Sequence, residues 1–284
     1  MKNPRLIRKR ISSIKNIHKI TKALEMVAAS KVQKAQDKAL SGKPYAQTVY
    51  SLIQNFAGKV DPNIIPLLRV PPKIQNALYL LITTNRGLCG SLNTNLFRFV
   101  EEDLKNLNLK NPYFITLGKE GRNFAVLKGK LLADFSDQEP FLSSVPAITK
   151  LITDSFANQE YDLISLAYND FVSAFVQEPR IKQILPITTF EKETEIKKNI
   201  RFSFEPSAEV IFENLLPFYL EIQIREAIIE AEASEHSARM IAMKNASDNA
   251  KQLSYGLILE YNQARQQTIT NELSDIVTAR LTID

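Results

Sequence analysis

The chain has 284 residues, 44% of them apolar and 24% charged, with a formal net charge of +5. That composition excludes wholesale disorder and leaves room for one large or two smaller domains. A single cysteine, Cys89, excludes an internal disulfide framework and fits a reducing compartment, and no run of 18 apolar residues is long enough for a membrane span.

The charge is polarised. Residues 1–43 carry twelve Lys/Arg against Glu25 and Asp37, a net +10, while residues 208–284 carry six Lys/Arg against twelve acids, a net −6. Oppositely charged ends predict that the termini meet.

Residues 4 to about 57 read as one helix, opened by Pro4 in a first-turn position. Apolar residues recur at Ile7, Ile11, Ile14, Ile17, Ile20, Leu24, Val27, Val32, Ala35 and Ala39, a narrow seam rather than a broad face. Gly42 and Pro44 weaken the pattern and predict a kink. Roughly 50 helical residues would span about 75 Å, the length of a coiled coil or rod.

The Pro-rich stretch "GKVDPNIIPLLRVPPK" marks a boundary. Beyond it, "NALYLLITT", "PYFITLG", "DLISLAYN" and "IKQILPIT" read as strands. Between them, "SLNTNLFRFVEEDLKNL" and "VPAITKLITDSFANQ" read as helices. The alternation predicts an open α/β sheet. Neither G-x-x-x-x-G-K-[ST] nor a strand-borne G-x-G-x-x-G is present, so no nucleotide site is expected there. Cys89, in "NRGLCGS", reads as a buried small residue in a tight strand-to-helix turn, and His18 and His236 lack the spacing of metal ligands.

Helix returns over residues 208–282, with Pro217 near its start. In "EHSARMIAMKNASDNA" small residues form a stripe: Ala227, Ala231, Ser234, Ala238, Ala242, Ala246 and Ala250. Such a stripe lets a second helix approach closely, and the polar remainder fits two surroundings: a plain surface position in an alanine-rich bundle, or a protein sleeve in which the helix can turn without sticking. The expected organisation is an N-terminal shaft helix (1–57), an α/β foot domain (58–205) and a C-terminal shaft helix (206–284). The fold class is mixed α and β: a long antiparallel coiled coil of the terminal helices plus a Rossmann-like α/β middle domain.

Three stretches carry a family resemblance: "HKITKALEMVAASKVQKAQ" (18–36), "TTNRGLCGSLN" (83–93), and "EHSARMIAMKNASDNA" through "YNQARQQTITNELSDIV" (235–277). In order and spacing they resemble the gamma subunit of F-type ATP synthases, over essentially the whole chain. The resemblance implies a non-catalytic rotary shaft that couples ion flow through a membrane sector to ATP synthesis, or the reverse. It implies alpha and beta subunits around the coil, epsilon and a c-subunit ring at the foot, and a peripheral position on the cytoplasmic face of a bacterial plasma membrane. No cofactor, metal, nucleic acid or small-molecule substrate of its own is implied.

By the same resemblance, Arg265, Gln266, Thr270 and Arg239 match contacts with the beta subunit. Lys19, Lys22 and Leu24 match the stretch near an acidic lever of beta, and Phe202 and Glu205 match the region facing epsilon and the c ring. Two departures stand out: Asn85 occupies a position that is usually Asp, and the polar tip "TARLTID" replaces a small apolar tail. A nucleic-acid-binding coiled coil is the main rival. It draws on the basic N-terminal segment, but pairing with the acidic C-terminal segment would repel phosphate.

Overall fold

A computed structural model describes residues 3–57, 65–109, 111–187 and 208–281. Among the described residues, five α-helices and five strands follow in the order α1 (Pro4–Ala57), β1 (Ala77–Ile82), α2 (Leu92–Asn106), β2 (Tyr113–Leu117), α3 (Lys119–Lys128), β3 (Lys130–Asp134), α4 (Val145–Ala157), β4 (Leu163–Phe171), β5 (Gln177–Leu185) and α5 (Ala208–Leu281). The chain forms two compact units. One joins the segment up to Ala29 with that from Arg239 onward, and the other runs from Ser30 to Ala238.

In the first unit α1 and α5 pair in antiparallel sense. His18 meets Ser247, and Leu6 and Ile14 meet Leu253 and Leu257, so lower numbers on one helix face higher numbers on the other. The α1 side of the seam is a heptad series: Ile7, Ile11, Ile14, His18, Thr21, Glu25 and Ala28, spaced alternately by four and three and all buried or half-buried. The sequence reading of this seam needs correcting at Ile17, Ile20 and Val27, which are 47%, 60% and 54% exposed. Steps of three fall about 60° short of a full helical turn, so Ile14, Ile17 and Ile20 wind off the contact line while His18 and Thr21 stay on it. On α5 the buried line is Met243, Ser247, Ala250 and Ser254. Of the expected small-residue stripe, Ala227, Ser234 and Ala250 are buried; Ala231, Ala238, Ala242 and Ala246 are half-buried flanks.

In the second unit the sheet has the order β3-β2-β1-β4-β5, with β5 alone antiparallel to its neighbour. The four expected strands are present. Strand β3 and helix α3 are additions that the sequence reading did not contain. Period-two alternation assigns the faces of β1. Leu78, Leu80 and Ile82 join Val49 and Ile53 of α1, Ile148, Ile152 and Phe156 of α4, and Leu220, Ile224 and Ile228 of α5. Tyr79 and Leu81 face Leu96 and Val100 of α2 and Phe124 of α3. The Tyr79 hydroxyl donates to Asp103 at 2.6 Å, and burial followed by that carboxylate raises its pKa. Helices α1 and α5 both run on through their prolines, Pro44 and Pro217. An ion pair and a hydrogen bond link the two helices here: Lys38 Nζ lies 3.8 Å from Glu232, and Tyr50 donates to Glu226 at 2.6 Å.

The carboxyl end of β1 caps α3. Asn85 Oδ1 accepts the Lys119 N–H (3.1 Å), the Thr84 carbonyl accepts that of Glu120 (3.3 Å), and Thr83 Oγ1 accepts that of Gly121 (2.8 Å). These satisfy donors that a helix N-terminus otherwise leaves without partners. The fit requires glycine at 118, where φ is +104° and a Cβ would lie 2.2 Å from the Thr83 carbonyl oxygen. Gly118→Ala is therefore expected to lower unfolding free energy by about 3 kcal/mol in denaturant titration. Gly87→Ala, where an added Cβ meets nothing within 4 Å, should stay within about 0.5 kcal/mol of the parent.

Candidate partner-binding surfaces

The heptad seam is narrow because two helices can hide little more than one stripe each. Within it sits a polar pair. His18 Nδ1 lies 3.0 Å from both the Ser247 carbonyl oxygen and Ser247 Oγ. A protonated Nδ1 donates to the carbonyl; a bare Nδ1 accepts from the hydroxyl. One turn away, Thr21 returns its hydroxyl to the Ile17 carbonyl at 3.0 Å. A polar pair at a seam position fixes register at some cost in stability.

Around the seam the unit exposes large apolar side chains: Leu6, Ile17, Ile20, Met26 and Val27 on α1, and Leu253, Tyr255, Leu259, Ile269, Leu273 and Ile276 on α5. Leu6, Ile14, Leu253 and Leu257 line a groove of about 510 Å³ rimmed by Lys9 and Arg10. Exposed apolar surface on this scale marks a contact surface. The sequence reading missed the exposed apolar surface of α1 because it assigned Ile17, Ile20 and Val27 to the interior.

Lys19 and Lys22 are exposed on α1, and Leu24 is half-buried beside them. Lys22 Nζ pairs with Glu25 at 3.0 Å, so part of its charge is already answered within the helix. Arg265, Gln266 and Thr270 are exposed together on α5, and the Thr270 hydroxyl donates to the Gln266 carbonyl at 3.0 Å. Arg239 is half-buried near the start of this part of α5. Phe202, Glu205 and the polar tip from Thr282 lie outside the described residues.

Asn85 has a structural reason for being an amide. Its Nδ2 donates to the Ser136 carbonyl (3.0 Å) and to Glu139 (2.9 Å), while its Oδ1 caps α3. An aspartate there would lose both donor contacts and set a second carboxylate against Glu139. Nearby, Asp134 accepts from Ser136 and Thr116. Burial pushes its pKa up, but those hydrogen bonds and Arg122 outweigh burial and hold it below the ordinary carboxylate value.

Comparison with known proteins agrees with this architecture. The sequence profile of the family described as ATP synthase matches residues 3–280. The ATP synthase gamma chain of Methylacidiphilum infernorum is 41% identical over 294 residues, covering 99% of each chain. The chain belongs to the ATP synthase gamma-chain family. The Coxiella burnetii gamma chain, 39% identical, covers all of both sequences. Among solved structures, the rotor of the Euglena gracilis mitochondrial ATP synthase shares the fold with a TM-score of 0.65 at 21% identity, covering 94% of this chain and 98% of that one. The central stalk of the Tetrahymena thermophila enzyme gives 0.60 at 24% identity, covering 80% and 99%. No described helix is long and apolar enough to cross a membrane.

If the seam pair sets register and strength, His18→Ala and Ser247→Ala should each cost about 1 kcal/mol of stability. A double-mutant cycle on the full chain, read by thermal unfolding, should return a coupling of about 0.5–1 kcal/mol.

Proposed function

We propose that this gamma chain is the central rotary shaft of an ATP synthase. It turns within a hexamer of alpha and beta subunits and couples ion flow through the membrane sector to ATP synthesis or hydrolysis. In this reading residues 1–57 and 206–284 are the shaft, residues 58–205 are the foot, and epsilon and the c-subunit ring dock at the foot. The chain is non-catalytic: the hexamer supplies the reacting groups, and each angle of the shaft favours a different conformation in each beta subunit. The complex sits on the cytoplasmic face of a bacterial plasma membrane.

The observation that carries the reading is the coil of the first unit. It hides a heptad seam yet leaves Leu6, Ile17, Ile20, Val27, Leu253 and Leu259 exposed beside Lys9, Arg10, Lys19 and Lys22. Such a coil is incomplete without a sleeve, and its cations suit an acidic lining. Arg239, Arg265, Gln266, Thr270, Lys19, Lys22 and Leu24 are the proposed contacts with beta. Exposed polar contacts of this kind are individually weak, which lets the shaft leave one angle for the next.

Reconstitution with purified alpha and beta subunits tests the reading. The expected product is a complex with a single copy of this chain and cooperative ATPase activity absent from either component alone. Arg265→Ala combined with Gln266→Ala should lower turnover about tenfold, equivalent to ~1.4 kcal/mol of coupling, with assembly unchanged by size-exclusion chromatography. Unchanged turnover would remove both residues from the coupling role.

A further inference from the structure

The end of the sheet where the parallel strands begin lies opposite the end that caps α3, and it carries a pocket of about 370 Å³. Lys73 and Asn76 line it ahead of β1, Asn108 and Asn111 between α2 and β2, and Tyr113 and Lys130 as the first residues of β2 and β3. Tyr113 and Lys130 are direct partners in the β2–β3 register. Pockets that hold small molecules start at about 300 Å³, whereas one water fills about 30 Å³, so the space exceeds what a few waters require.

The backbone around this pocket is pinned. Asp162 Oδ2 accepts the N–H groups of Gln75 and Asn76 at 2.9 Å each, and the Asp162 N–H donates to the Asn76 carbonyl at 2.8 Å. Past the end of α2, Asn108 takes a φ of +53°, and the N–H groups of Asn108 and Leu109 close on the Lys105 and Leu104 carbonyls at 3.1 and 3.0 Å. The Lys130 N–H donates to the Pro112 carbonyl at 2.9 Å. The Tyr113 ring is set edge to face against Tyr161, with centroids 5.1 Å apart. The walls are thus fixed, while the side-chain amides of Asn76, Asn108 and Asn111 make no hydrogen bond among the described residues.

The charge of the pocket is one-sided. Other cations near the same sheet have acids: Lys119 lies 3.1 Å from Asp137, Arg122 3.5 Å from Asp134 and Lys128 2.9 Å from Glu101. Among the described residues Lys73 and Lys130 have no such carboxylate; Lys130 Nζ lies instead 5.5 Å from the centre of the Tyr113 ring. No carboxylate lines the pocket, and Asp162 is engaged by backbone N–H groups. The turn after α2 also occupies two carbonyls of a helix C-terminus that would otherwise repel an anion.

We propose that this pocket binds the phosphoryl group of a small phosphate ester. Lys73 and Lys130 pair with its oxygens, and the amides of Asn76, Asn108 and Asn111 donate to it or accept from the hydroxyls that the ester carries. A free ester and a lipid headgroup present the same group to the same mouth. The pocket lies wholly in the unit that holds the sheet and needs no partner subunit.

The test is ³¹P NMR of glycerol 3-phosphate, read as line broadening on addition of the full-length chain. Saturable broadening is expected, with affinity lowered about tenfold in Lys73→Gln combined with Lys130→Gln. Lys34→Gln combined with Lys150→Gln removes the same charge from exposed positions elsewhere and should change affinity less than about twofold. Asn108→Asp keeps a residue that tolerates the left-handed backbone but sets a carboxylate in the pocket. It should abolish saturable binding, and it carries the test if the Lys73 and Lys130 pair of substitutions does not fold. Flotation with phosphatidylcholine vesicles containing phosphatidic acid separates the two sources. Flotation that is lost in the pocket variants assigns a lipid headgroup; saturable binding of the soluble ester without such flotation assigns a free ester. No saturable binding to either, equal losses in the two lysine pairs, or an Asn108→Asp chain that binds like the parent overturns the pocket.

Discussion

Two helices wound on a heptad repeat bury one seam between them, and every other face must meet a partner or water. The first unit follows from that constraint. Its seam is lined by medium and small groups, Ile7, Thr21, Ala28, Met243, Ser247 and Ala250, that let the backbones approach. The seam cannot be widened without a third helix. Ile17, Ile20, Leu253 and Leu259 therefore stay outside, where they would be liabilities in a free-standing protein and are assets in one that is enclosed. The cations of α1 sit among these apolar groups, so the same surface offers both contact area and a sign of charge.

The second unit solves a different problem, that of attaching long helices firmly to a sheet. Here α1 and α5 contribute Val49, Ile53, Leu220, Ile224 and Ile228 to one face of the mixed sheet, and burial at that face is nearly complete. Hydrogen bonds then set position along the helix axis: Ser234 to Asn169, Ser237 to Ala174 and Tyr50 to Glu226. Hydrophobic contact alone is non-directional and would tolerate sliding; these polar bonds do not. At the far end of β1, Thr83, Thr84 and Asn85 fill the N-terminus of α3, so the strand end that in many α/β proteins faces a ligand is here turned to internal capping.

Much of this was legible in the sequence because burial writes strong patterns. The runs that became β1 and β4 are apolar enough to be recognised without neighbours. The edge strand β3, "KLLAD", alternates between exposed and half-buried residues over five positions. The preceding helix α3 contains Gly121 and spends its apolar residues on both faces, with Val126 and Leu127 exposed. Neither segment writes a periodic signal. The seam was misread for a related reason: isoleucine at Ile17 and Ile20 looks like core, whereas His18 and Thr21, which hold the contact line, look like surface. Identity outweighed phase. Among the proposed partner contacts, Arg265, Gln266 and Thr270 are exposed, whereas the pairing of Lys22 with Glu25 and the double duty of Asn85 depend on atoms that only folding brings together.

The fading of the seam along α5 has a mechanical meaning. Buried positions run from Met243 to Ser254 and half-buried ones recur at Leu257, Tyr261 and Ala264; residues 265–270 and 272–276 are then exposed. A paired coil resists bending far more than a single helix, because stiffness rises steeply with the breadth of a beam. The end of α5 past Ala264 is therefore the compliant end of this unit. A sideways load applied there is taken up as flexure of one helix while the seam behind it stays closed, so the unit behaves as a stiff rod tipped with a spring.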